Sequence, residues 1–443
     1  MHSTRLLAAT GSVLIAASFA FADPASAQSA SERDLAKRLD QLASELAKVK
    51  AELAQLQQQQ RVGAAAPNAP TTAAAASAPA PAVPVATALG SGLLGGPATV
   101  LTSYGEINYN RPTNDSKNTV ADLRRFVLGY QHRFDEKTKV VTELEVEHAV
   151  SSASDRGEVE VEQAYLERPV ARQYAVRAGL FLMPSGLLNE NHEPTAFYGV
   201  ERNFVETAII PSTWREGGIQ IVGTYDNGIT AQAGITTGLD LNKWDATSTE
   251  GAESPLGSIH QELQLANARD LSVFGAVNWR GVPGLLLGGS IFTGGATHGQ
   301  STNSARVTLW DLHARYQPGR WDFSGVYARG TISNTAAFNA PLVGSTTLIP
   351  KSFDGWYTQA AYKLWSNDEY SLAPFVRWEQ FNTARSFADL GAGLTPDAAR
   401  TQRVATIGAN FNIGSGIVVK ADLQRFRQNS EANRFDLGLG WSF

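Results

Sequence analysis

The 443-residue chain contains no cysteine. That absence removes disulfide frameworks, thiolate metal sites and thiol nucleophiles together, and it suits an oxidising compartment. A basic excess is missing too: 37 Lys and Arg stand against 42 Asp and Glu, a formal net charge of −5. A protein that lives on phosphate contacts needs the opposite balance, so nucleic acid is excluded as a partner. Beyond the first 22 residues there is no apolar run of about 18 residues, and hence no candidate membrane helix. What is abundant is glycine, at 40 residues, and aromatic side chains, at 9%, a balance that favours strands and tight turns. The mean hydropathy of −0.18 is compatible with a membrane protein only if polar and apolar faces cancel, as they do in a barrel with a polar lumen.

The N-terminus states a destination. His2 and Arg5 precede an apolar run from Leu6 to Ala22, and Ala25 and Ala27 form an A-x-A cleavage site, with Ala20 and Ala22 as a second candidate. Residues 1–27 are therefore expected to be an export signal. A retained helix is the alternative, but the run is at the short limit for a span and Pro24 follows it closely. Within residues 28–60, Leu35, Leu39, Leu42, Leu46, Val49, Leu53 and Leu56 keep an unbroken heptad register, the pattern of a short periplasmic coiled coil. Ser31 is placed to cap it, and Glu45 could reach Lys50 of a parallel neighbour. A lone solvated helix is the competing reading, because so few heptads are marginal alone. Residues 61–98 are Ala, Pro, Thr and Gly with almost no charge, a semi-rigid tether.

From Thr99 the pattern changes to period two, with stretches such as "DLRRFVLGYQHRF", "GIQIVGTY" and "GIVVKADLQRF" alternating apolar and polar residues. Sixteen strands are expected, near 99–110, 122–134, 138–149, 157–169, 172–183, 215–225, 228–238, 270–280, 284–294, 304–317, 320–331, 353–365, 370–382, 401–413, 416–428 and 432–443. Tight turns ("DEKT", "VARQ", "DNG", "GVPG", "PGR", "SNDE", "GSG") follow the even-numbered strands, whereas the long connections 184–214, 239–269, 332–352 and 383–400 follow odd-numbered ones. That sorting is the layout of an all-β, 16-stranded antiparallel transmembrane barrel of the bacterial outer membrane, spanning 99–443. A soluble sandwich would have no cause to sort its loops by rim. The last strand, "FDLGLGWSF", carries its apolar stripe to the final residue. A barrel must close on its first strand, so Phe443 is expected to seal the lipid face and, like the aromatic ending of outer-membrane proteins generally, to serve as the signal read by the barrel-assembly machinery.

The stretch "GLFLMPSGLLNENHEPTAFYGVERNFVETAIIPSTWREGGIQIVG", with "RFVLGYQHRFDEKTKVVTELEVEHA" and "GEVEVEQAYLE", resembles the phosphate-selective porin O and P family. The resemblance spans the whole barrel and is most specific between Arg125 and Gly223. It implies a homotrimeric channel whose long third loop folds into the lumen as a constriction, and an N-terminal coiled coil is seen in similar porins. The ladder of arginines and lysines that lines the family's phosphate channels does not stand out here.

The loop following the fifth strand is acidic: Glu190, Glu193, Glu201 and Glu206 against Arg202, with His192 within it and Arg215 opening the next strand. "HEPTA" resembles half of a zinc signature, but the second histidine is missing and Pro194 forbids the helix. Strand parity, with Leu144, Val146 and His148 outward, turns Glu143, Glu145 and Glu147 into the bore, and Glu158, Glu160 and Glu162 on the partner strand likewise. Arg125, Arg133 and Arg177 share that inward parity. Arg315, Lys363, Arg377 and Lys420 point in elsewhere, accompanied by Asp311, Glu379 and Asp422. Such charges either rigidify the wall as ion pairs or set a transverse field across water.

The function these features support is passive diffusion of small hydrophilic solutes and ions through the outer membrane, with anions such as phosphate suggested by the resemblance. No cofactor and no enzymatic role are expected. His132 and His148 have outward parity, but neither has an evident serine and acid beside it for lipid hydrolysis. A barrel anchor that tethers the outer membrane to the cell wall through the coil is the alternative.

Overall fold

The computed structural model describes residues 98–443 apart from residue 153, and the three isolated helical positions Lys37, Ser44 and Lys48. The expected signal segment, coiled coil and linker lie outside the described residues, those three positions and residue 98 aside. None of the described helices is long and apolar enough to cross a membrane.

The period-two segments become one closed antiparallel sheet of sixteen strands. In chain order these are β1 (Thr99–Pro112), β2 (Val120–Arg133), β3 (Lys139–Glu147), β4 (Val159–Ala171), β5 (Tyr174–Leu182), β6 (Arg215–Thr224), β7 (Ile229–Thr236) and β8 (Ser272–Trp279). They continue as β9 (Leu285–Gly295), β10 (Arg306–Tyr316), β11 (Trp321–Ile332), β12 (Ser352–Tyr362, resuming at Trp365–Ser366), β13 (Tyr370–Ser386), β14 (Gln402–Ile413), β15 (Ile417–Phe426) and β16 (Arg434–Ser442). Each pairs with its neighbours in sequence, and β16 returns to β1 with Tyr104 opposite Ser442 and Pro112 opposite Arg434. The seam ends on Phe443, whose backbone N–H donates to the Ser103 carbonyl at 2.9 Å while its own carbonyl accepts from the Ser103 N–H at 3.0 Å. No edge strand is left for lipid to meet.

Alternation sorts the side chains between two environments. Leu128, Leu144, Ile219, Ile221, Val277, Ile291, Leu312, Val376, Ile407, Leu437 and Leu439 stand exposed on the outer wall, an apolar belt suited to acyl chains. At the end where the turns are short, aromatic rings meet across strands: Tyr174 with Tyr225 at 5.9 Å, Trp321 with Tyr362 at 4.8 Å and Tyr370 with Phe411 at 5.7 Å. That is the position of an interfacial girdle.

Two of the register shifts change which side chains face the bore near the acidic rows. One leaves Arg124 unopposed on β2, between the Glu106–Arg125 and Ile107–Leu123 pairs. The other leaves Glu162 unopposed on β4, because Glu143 faces Gln163 while Leu144 faces Val161. Before this bulge the even residues Glu160 and Glu162 point inward; after it, Gln163, Tyr165 and Glu167 do.

The interior is not uniformly polar. Trp214, Leu239, Leu241, Leu256, Ile259 and Ile349, all from the long connections, join Ile209 and Ile210 of the third loop against inward Phe181, Phe274, Phe292, Val307, Ile332 and Phe353 in one apolar cluster. The long connections thus fold into the barrel mouth rather than over water. Trp214 is the anchor, edge-on to Phe292 at 4.8 Å with its indole N–H donating to Glu216 at 3.1 Å. Truncation of Trp214 to alanine is expected to cost about 3–5 kcal/mol, read as a drop of several degrees in the temperature at which the purified barrel loses its compact form on a gel.

Candidate channel constriction

The third loop, residues 183–214, enters the bore and is fastened to nearly every side of the wall. On the seam side, the hydroxyls of Thr195 and Ser442 lie 2.8 Å apart, and the Asn108 and Asn110 amides donate to Glu201 at 3.3 and 3.1 Å. Glycine makes this approach possible: a β-carbon on inward Gly440 would come within 2.5 Å of Pro194, and one on Gly438 within 3.2 Å of Val200. Across the bore, the Val200 N–H donates to Asp422 at 2.6 Å and the Phe204 N–H to Glu379 at 2.6 Å, while Arg377 donates to the Tyr198 carbonyl at 3.1 Å. Facing β7, Glu190 accepts from Gln232 at 3.0 Å; facing β12, Glu206 accepts from the Tyr357 hydroxyl at 3.0 Å. Glu206 also takes the Leu188 and Leu187 N–H groups and the Asn203 amide, closing the loop on itself.

The loop's charges are therefore largely occupied in holding the loop. Arg202 is buried, donating to Ser212 and Thr213 at 2.6 and 2.9 Å and to the His192 carbonyl at 3.2 Å. His192 is buried as well: Nδ1 donates to the Asn189 carbonyl at 2.9 Å, and Nε2 lies 2.6 Å from the Tyr104 hydroxyl and 3.6 Å from Glu162. Arg215 bridges Glu160 and, at 2.8 Å, Glu262 of the next long connection. Glu193 is half-buried, and burial pushes its carboxyl above the ordinary range. Burial does the same to Glu190, against the pull of Arg177. Among the described residues no group of three or more potential metal ligands forms, so His192 and Glu193 do not belong to such a cluster.

On the wall, Glu143, Glu145 and Glu147 project inward, and Arg125 answers that row. It lies 2.9 Å from Glu106, 3.3 Å from Glu145 and 3.7 Å from Glu147. Arg177 pairs with Glu167 at 2.6 Å, which Lys139 also reaches at 2.8 Å; Arg315 pairs with Asp322 at 2.6 Å, and Arg377 with Glu379 at 2.5 Å. Lys420 is buried with its ammonium 3.5 Å from the centre of the Phe197 ring. Three residues stand apart from these groups. Glu158 precedes β4 and is exposed, Lys363 falls just past the main run of β12, and Arg133 closes β2 opposite Lys139 at the short-turn rim. His148 lies beyond β3 with φ of 56° and bonds Asp122 at 2.7 Å, so it does not extend the outward stripe. His132 does face outward, 2.8 Å from the Thr99 hydroxyl.

Breaking the Arg125 cluster tests its weight. Arg125→Met leaves three carboxylates without their counter-charge, and loss of one partner from a buried pair costs about 3–5 kcal/mol. The expected outcome is a barrel that forms but melts earlier, with the added Glu145→Gln change restoring part of the loss.

Below the loop, on the short-turn side, two adjoining cavities of about 400 and 540 Å³ share Glu190, Asn191, Asn278 and Arg280. Charges of both signs line them: Glu143, Glu167 and Glu193 with Lys139 and Arg177 in one, and Arg315 and Arg377 in the other. Sequence reading missed Tyr104, Asn189, Arg280 and the inward glycines of β16. Arg280 sits in a short turn, where no strand parity marks it, and the glycines signal close approach only once the loop's path is known.

No family model matches the chain. An uncharacterized protein of Aquifex aeolicus (strain VF5) is 29% identical over 352 residues, covering 77% of this chain and 79% of that protein. Among solved structures, OmpF of Salmonella typhi in complex with daunomycin aligns with a TM-score of 0.53 at 13% identity, over 78% of this chain and 97% of that one. An anion-selective porin from Comamonas acidovorans aligns with a TM-score of 0.47 at 12% identity, over 78% of this chain and 100% of that one. The outer membrane channel DcaP of Acinetobacter baumannii aligns with a TM-score of 0.47 at 12% identity, over 78% and 97%. What the likeness to OmpF establishes is the fold, a closed antiparallel barrel of the porin type.

Proposed function

We propose that the chain is an outer-membrane channel for passive diffusion of small hydrophilic solutes and ions, working as a homotrimer, with weak ion selectivity and no tight phosphate site. The observation that carries this reading is the loop of residues 183–214 fastened across the bore above a charged cavity, the arrangement that sets the width and field of a diffusion channel. Weak selectivity follows from pairing. Arg125, Arg177, Arg315 and Arg377 each lie against a carboxylate, so little free positive charge remains to concentrate phosphate.

Liposome swelling with purified full-length protein tests the channel. Swelling rates that fall smoothly with sugar size support it; liposomes as tight as protein-free ones overturn it. Oligomeric state is tested separately by deleting residues 28–98. The barrel wall is expected to carry the trimer contacts, so a heat-resistant trimer should persist on a gel, and monomers throughout would contradict the reading.

A further inference from the structure

The outer wall carries a furrow with a charged end. Across β10 to β15, directly opposed residues form the row Ala314, Gly325, Thr358, Trp378, Ala405 and Arg425. All six point outward, and four are Ala, Gly or Thr. On one side runs a taller row that includes Tyr316, Phe323, Val376, Ile407 and Leu423; on the other stand Leu312, Tyr327 and Trp356. The furrow along the first of these ridges has a volume of about 780 Å³, lined by the six residues of the row and by Tyr316, Phe323, Val376, Ile407 and Leu423. Five strand spacings of about 4.8 Å make it about 24 Å long, the scale of an acyl chain crossing most of one leaflet and beyond. Because barrel strands tilt, a row perpendicular to them runs obliquely across the wall.

Its upper end lies toward the rim of long connections. There Arg425 is joined by Arg403 and Arg427, whose backbones bond at 3.0 Å, so three guanidinium groups gather on adjoining strands of the outer face. Arg427 lies over the Trp378 ring at 5.5 Å and Arg403 donates to Gln380 at 3.2 Å, while Arg425 is exposed. The outward carboxylate on this side, Asp354, lies beside Arg329 and Arg385 at 3.6 and 3.9 Å. Arginine on a lipid-facing wall is unfavourable unless an anion meets it, and phosphate is the planar fork's natural partner.

We propose that this furrow binds a polyacylated, phosphorylated glycolipid of the outer leaflet, one acyl chain lying along the row of small residues and a headgroup phosphate held by Arg403, Arg425 and Arg427. A phosphate alone would not need the furrow, and a second copy of the chain seated there is the outcome that the cross-linking arm below detects.

The inference rests on outer-membrane placement of the barrel but not on conduction, so the two are separable: swelling rates should be unchanged in every variant below. Full-length protein in detergent is titrated with diphosphoryl lipid A, and bound lipid is counted by native mass spectrometry. Wild type should retain the lipid about tenfold more tightly than the combined Arg403→Gln, Arg425→Gln and Arg427→Gln variant. Ala405→Trp fills the furrow and keeps every charge; it should also weaken binding, with heat-resistant mobility on gels verifying that each variant is folded. Equal retention by wild type and both variants overturns the proposal, as does unaltered retention by Ala405→Trp alone. Disulfide cross-linking between copies through Ala405→Cys would assign the furrow to protein contact instead and overturn it equally.

Discussion

Removal of the single residue Phe443 should leave synthesis and export intact and reduce membrane-assembled barrel to a small fraction of the wild-type level. The structure gives a mechanical reason. Phe443 forms both backbone bonds with Ser103, at 2.9 and 3.0 Å, which close the seam between β1 and β16 at its short-turn end. Without it, the Ser103 N–H and carbonyl face lipid unpaired, and each such group costs several kcal/mol in a hydrocarbon surround. The ring itself is 77% exposed, so it contributes almost nothing to internal packing. Its exposure is what a residue needs if assembly machinery is to read it. Phe443→Ala separates the two contributions: it retains the backbone bonds and loses only the ring. Quantification of heat-resistant barrel in outer-membrane fractions distinguishes them, and normal levels of the truncated chain would contradict the reading of the seam.

Glu190→Gln combined with Glu193→Gln should move ion preference toward anions. Both residues line the cavity under the loop, where Lys139, Arg177 and Arg280 supply the opposing charge. Two unit charges about 4 Å apart interact by about 4 kcal/mol at an effective dielectric near 20, so two carboxylates in a narrow bore outweigh distant wall residues. Acidification should act in the same direction. Burial raises both carboxyls, which places their protonation closer to neutrality than that of ordinary glutamates. Each proton taken up removes one negative charge, so anion preference should grow as the bath is acidified from neutrality, beginning at a higher pH than ordinary glutamates would allow. The double variant should lose most of this pH response. A pH response equal to wild type would assign it to other groups.

The strands were legible because a lipid-facing wall and a polar lumen force period two over about ten residues at a time. Every expected strand has its counterpart, with ends mostly within two residues; the largest departure is β13, which runs on to Ser386. Inward placement of Glu143, Glu145, Arg125, Arg377 and Lys420 followed from the same rule. The Glu162 bulge was not legible, since a bulge leaves no mark in composition, and it switches the inward set on β4 from even to odd positions. The loops were harder still. Trp214, Leu239, Leu241, Leu256 and Ile259 show no periodicity, so their burial in the barrel mouth emerges only from the folded structure. The acidic character of the third loop was visible, but not that Glu206 and Glu201 are engaged by hydrogen bonds that fasten the loop. That depended on which wall residues the loop meets, and only the folded barrel sets those partners.

Current through planar bilayers tests the central claim most directly. Full-length protein added to a membrane under a potassium chloride gradient should insert in discrete conductance steps, in groups of three, with a reversal potential displaced only slightly from zero and no block of chloride current by micromolar phosphate. A bilayer that stays electrically silent would contradict the channel. Strong anion selectivity with micromolar phosphate block would show that Arg177, Arg315 and Arg377 act as free charges despite their carboxylate partners, and would contradict the account of the constriction.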